Sequence, residues 1–110
     1  MDVSKETEKD IAQLQLLEQN LQNFLAQKQT FQTQLLKIDN ALKELNSTKE
    51  DSYKIVGNIM IKDKKENLIK DLQSKKEIVE LRLKTLDKQE TKIKDKAEEL
   101  QKKVVKELEK

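Results

Sequence analysis

Two runs of apolar residues, spaced alternately three and four apart, limit what this sequence can fold into. The first reads Leu14, Leu17, Leu21, Phe24, Phe31, Leu35, Ile38, Leu42 and Leu45, with Lys28 in the vacancy between Phe24 and Phe31. The second reads Ile69, Leu72, Lys76, Val79, Leu83, Leu86, Glu90, Ile93, Ala97, Leu100 and Val104. Such an alternation, sustained over several heptads, is the seam of a coiled coil. The two seams share a centre. Leu45 and Ile69, Leu42 and Leu72, Leu35 and Val79, Phe31 and Leu83, Leu21 and Ile93, Leu17 and Ala97, and Leu14 and Leu100 are each equidistant from Gly57. A chain that folds back on itself needs that phasing, whereas a parallel dimer, the alternative, gives no reason for it. The expectation is a mainly α fold: two long helices, each roughly 45 residues or about 65 Å at 1.5 Å per residue, in an intramolecular antiparallel coiled coil.

Nothing interrupts either helix. The chain has no proline and one glycine, Gly57, the two residues that cost a helix interior most. Charged residues make up 40% and hydrophobic ones 35%, a balance that suits long helices or, were the periodicity absent, disorder. The first helix is expected over about 4–48. Ser4 is its cap, Glu6 and Glu8 complement the positive end of its dipole, and Asn46-Ser47-Thr48 marks its end. Asp63 and Glu66 have capping-box spacing, which starts the second helix at about Lys64 and runs it to 109. The whole chain, 1–110, reads as a single domain.

The segment between the helices differs in kind. Tyr53-Lys54-Ile55-Val56-Gly57-Asn58-Ile59-Met60-Ile61-Lys62 is rich in β-branched residues and centred on Gly-Asn, which predicts a hairpin over 53–62; a buried helical turn or an irregular loop is the other reading. Two strands alone are marginal in water, and Tyr53, Ile55, Val56, Ile59, Met60 and Ile61 put apolar side chains on both faces. Unpaired strand edges invite further strands, so this hairpin is an expected assembly element.

Several function classes fall away. There is no histidine, no cysteine and no glycine-rich loop to cradle phosphates, and carboxylates along a two-helix coil lack the cleft that would perturb their pKa. No enzyme, cofactor or metal site is expected. The 23 basic and 21 acidic residues are interleaved, which argues against a nucleic-acid or membrane-surface binder. The longest apolar run, Ile59-Met60-Ile61, is too short for a membrane span or a signal peptide, so the expectation is a soluble cytoplasmic protein.

Other features carry two readings each. Lys28 and Glu90 interrupt the seams in adjacent layers, where they can pair or snorkel to water. Glutamines at 13, 15, 19, 22, 27, 29, 32 and 34 either solvate the first helix or mute its charge toward partners. At the far end from the hairpin, Ile11, Leu14, Leu16, Leu17, Leu100, Val104, Val105 and Leu108 crowd together with no third element to cover them. They form either a plain coiled-coil terminus or a tip that grips unfolded polypeptide through non-directional apolar contact.

The order helix, hairpin, helix resembles the prefoldin β class. Tyr53-Lys54-Ile55-Val56-Gly57 with Ile59-Met60-Ile61-Lys62 resembles that family's hairpin, although Asn58 stands where many members have proline. The stretches Leu21–Gln29 and Leu81–Glu90 resemble its first and second helices. One hairpin rather than two places the chain in the β class by resemblance. The resemblance implies a hexamer of two α-class and four β-class subunits, with hairpins forming a β-barrel body and coiled coils hanging from it. It further implies tips that hold non-native proteins without ATP and deliver them to a group II chaperonin. A structural or tethering coiled coil without client binding is the alternative, and an RNA-binding helical arm a third reading.

Overall fold

The computed structural model describes residues 4–109. Helix α1 (Lys5–Ser47) leads into strand β1 (Ser52–Val56), strand β2 (Ile59–Asp63) and helix α2 (Lys65–Glu109). The two strands form one antiparallel hairpin with pairs from Ser52↔Asp63 to Val56↔Ile59. The backbone falls into two compact units. One joins the chain up to Gln29 with Lys84 onward, and the other is Thr30–Leu83.

In the first unit α1 and α2 pair antiparallel in the register centred on Gly57. Thr7 and Glu107, equidistant from that glycine, share a hydrogen bond, and Lys28 pairs with Glu90 and Asp87. In the second unit the same register brings Asp39 to 2.9 Å from Lys76 and the Arg82 guanidinium over the Phe31 ring. The seam residues are half-buried for the most part, and among the described residues only Leu68, Val79, Leu86 and Val104 are buried apolar side chains. Two helices cannot enclose a core as a larger domain does, so most seam side chains keep one flank in water. Leu68 was not legible as core, because it sits beside the seam residue Ile69. Both are drawn inward where α2 leaves the hairpin.

The helix ends follow from local chemistry. The Thr7 amide donates to Ser4 Oγ at 3.1 Å, the cap that α1 requires. At its other end the Thr48 amide donates to the Glu44 carbonyl, and Lys65 Nζ donates to the Thr48 carbonyl at 3.1 Å. The α2 start differs from a capping box. Asp63 Oδ1 accepts from the Lys64 amide at 2.8 Å and from the Asn67 side-chain amide at 3.1 Å, and the Lys64 carbonyl accepts the first helical hydrogen bond from Leu68. Asp63 is also the last residue of β2, which places it one position too early to reach the Glu66 amide. These donors hold its carboxyl below the usual carboxylate range, the Asn67 amide contributing most and the Lys64 amide next.

Candidate functional site

The hairpin turns on two residues, Gly57 and Asn58. Gly57 has φ +63°, and no other described residue has a positive φ. Positive φ at the first central position alone is the mark of a type II′ turn, whose twist matches that of the flanking strands. A Cβ at Gly57 would meet nothing within 4 Å; the need for glycine is conformational, not spatial.

Alternation along the strands and the observed pairing put Tyr53, Ile55, Met60 and Lys62 on one face, and Lys54, Val56, Ile59 and Ile61 on the other. A sheet folded against its own core would bury one of these faces. Here neither is covered by the chain: Ile55 is 73% exposed, Met60 67% and Ile59 66%, and Tyr53, Val56 and Ile61 are exposed as well. Charges border the apolar surface at its base, with Lys54 at 3.4 Å from Asp63 and Lys62 at 3.2 Å from Asp51.

The residues singled out at the other end of the sequence divide into two sets within the first unit. Val104 is buried, and Ile11, Leu14, Leu17 and Leu100 are half-buried in or beside the seam. Leu16, Val105 and Leu108 point outward and are exposed. Beyond Leu14 the seam continues in the same three–four step to Asp10 and Thr7, both buried, so the last described α1 seam positions are polar. Ser4 Oγ and Thr7 Oγ1 share a hydrogen bond, Thr7 donates to Glu107, and Lys103 Nζ lies 3.1 Å from Asp10 Oδ2 and 3.3 Å from Glu6. Asp10 Oδ2 has no aligned hydrogen-bond donor; the Lys103 ammonium serves it as counter-charge. Glu6, Asp10 and Glu107 come close enough together to suggest a cation site, but Lys103 already lies within 4.0 Å of all three. Asp10, then Glu6, hold the Lys103 ammonium above its ordinary pKa. Apolar periodicity could not find Thr7 and Asp10, although continuing the step from Leu14 would have.

Lys28 and Glu90 meet. Lys28 Nζ lies 3.1 Å from Glu90 Oε2 and 2.6 Å from Asp87 Oδ1, while Glu90 also takes Lys94 at 2.8 Å. Asp87 first, then Glu90, raise the Lys28 pKa; Lys94 first, then Lys28, lower that of Glu90. Asp87 and Lys94 were not expected as partners, since each lies off the seam.

Helices paired about a two-faced apolar hairpin have a counterpart among known proteins. A prefoldin subunit family model matches residues 8–110. This chain belongs to the prefoldin family. It is 43% identical to prefoldin subunit beta of Archaeoglobus fulgidus over 86% of this chain and 83% of that protein. With prefoldin subunit beta of Sulfolobus acidocaldarius it shares 39% identity over 90% of this chain and 81% of the relative. The crystal structure of the prefoldin beta subunit from Thermococcus strain KS-1 superposes with a TM-score of 0.88 at 31% identity, covering 94% of this chain and 92% of that one. Prefoldin membership agrees with the sequence resemblance, hairpin included. No described helix is long and apolar enough to cross a membrane.

Proposed function

We propose that this chain is the β-class subunit of an ATP-independent chaperone that holds non-native polypeptides and passes them to a group II chaperonin. Two α-class subunits join four copies of it, and the hairpins close into a β-barrel body. The observation that carries the reading is the hairpin with apolar side chains exposed on both faces. Such a surface is unstable in water alone, and its free edges supply the hydrogen bonds that further strands would take. Family membership supports this reading of the assembly.

Holding is assigned to the end where α1 begins and α2 finishes. Leu16, Val105 and Leu108 are exposed there, and the last described α1 seam positions, Thr7 and Asp10, are polar. Contacts of this kind are non-directional, which suits clients of no fixed sequence. No step in this function is catalytic, and none needs nucleotide, cofactor, nucleic acid or membrane. The cytoplasm, where chaperonins work on new chains, is the matching compartment.

The test is light scattering of an aggregating unfolded protein, with and without this chain plus an α-class partner. Suppression supports the chaperone. Inertness of a correctly sized assembly favours a scaffold, and a salt-sensitive shift of RNA favours a nucleic-acid arm.

A further inference from the structure

A shallow groove of 380 Å³ lies on one side of the paired helices in the second unit, floored by Ile38, Ile78 and Val79 and flanked by Lys37, Lys75 and Arg82. Gln34 completes its rim, and no carboxylate lines it. Lys76, one residue from Lys75, reaches Asp39 at 2.9 Å across the helix pair. Lys37 and Lys75 have no such partner among the described residues. Asp71, one turn from Lys75 at the spacing that favours pairing, forms no ion pair with it. The Arg82 guanidinium is held over the Phe31 ring at 5.6 Å, a cation–π contact that fixes its charge beside the groove without neutralising it. Ile78 is half exposed at 54%.

We propose that this groove is a docking site for an acidic peptide segment carrying leucine-like side chains, most simply an amphipathic helix. Charge complementarity selects the occupant. Three uncompensated cations around an aliphatic floor match carboxylates bordering an apolar stripe, the helix-in-groove mode of peptide recognition. The same cations could meet a nucleic-acid backbone, but the floor offers no exposed aromatic face on which a base would stack. The site is distinct from both the hairpin and the far end of α2, and it does not depend on client holding there.

The experiment titrates the full chain with a fluorescent helical peptide bearing leucines at i and i+4 flanked by glutamates, at low salt. Two further probes are its glutamate-to-glutamine counterpart and a single-stranded RNA of similar length. Lys37→Glu or Lys75→Glu should each weaken peptide binding a few-fold, as exposed ion pairs do, and the double variant about tenfold. Lys102→Glu, the same charge change on an exposed lysine outside the groove, should leave it unchanged, as should truncation after Leu100. The glutamine peptide should bind less well than the acidic one. Helicity by circular dichroism checks that each variant is folded, and Lys37→Gln gives a milder version of the same test. Absence of binding overturns the proposal, as does equal weakening by Lys102→Glu, equal binding of the glutamine peptide, or RNA that binds more tightly and loses affinity in the same variants.

Discussion

Lys28 takes a seam position where a leucine would be expected, and its ammonium is tied to Asp87 and Glu90 across the helix pair. A charge here adds little to stability, because both ends reach water, but it penalises any register that parts Lys28 from Asp87 and Glu90. The pH dependence has a definite sign. Glu90 is held below its ordinary value of 4.5, so its contribution is present above that pH and is lost as pH falls through and below it. Lys28 is held above 10.5, and its contribution is lost only as pH rises past that value. Glu90→Gln should therefore lower the thermal midpoint at neutral pH, with the difference closing as pH drops below about 4.5. A midpoint difference constant through the acid range would contradict the pairing. Gly57 is the other residue with a single conformational role. Gly57→Val forces a β-branched side chain into positive φ, at a cost of about 1–2 kcal/mol. Hydrogen exchange of the β1–β2 ladder amides should then speed up roughly tenfold, with the helix amides unaffected.

At the scale of elements, the hairpin and the seams behave as opposites: one leaves its apolar surface open, the other half-buries it. Ile59→Asp puts a charge on the hairpin face that carries Val56 and Ile61 and should prevent assembly with an α-class partner. Chromatography should show small species while circular dichroism retains the helices. A full-sized complex from that variant would place assembly elsewhere. Both elements were legible in the sequence for physical reasons. The seams are read by periodicity, and the hairpin by a glycine that only a turn requires. The polar end of the seam was not legible, because Thr7 and Asp10 carry none of the hydrophobicity by which a seam is recognised. Nor was the Asp63 cap: the spacing to Glu66 was right, but the carboxylate is used on Lys64 and Asn67 instead. The cationic groove was hidden too, since it depends on which residues of the two helices come to line one flank of the pair.

For the whole molecule, the first requirement is antiparallel pairing within one chain. The protein has no cysteine, so Phe31→Cys with Leu83→Cys introduces a clean reporter in the second unit. Oxidation should give an intramolecular disulfide and a monomeric mass, and intermolecular bonds alone would contradict the fold-back. The proposed function also requires a division of labour, with assembly at the hairpin and holding where α1 begins and α2 finishes. Truncation after Leu100 removes Val104, Val105 and Leu108 and leaves β1 and β2 intact. Burial stabilises by about 25 cal/mol per Å² of apolar surface covered, and contacts repeated over several subunits add through avidity, so holding should fall by degrees. The most direct measurement is light scattering of an aggregating client in the presence of the truncated chain assembled with its α-class partner, at the same assembly concentration as the full-length form. The truncated assembly should keep its normal architecture and suppress aggregation less well; undiminished suppression would contradict holding at these helix ends.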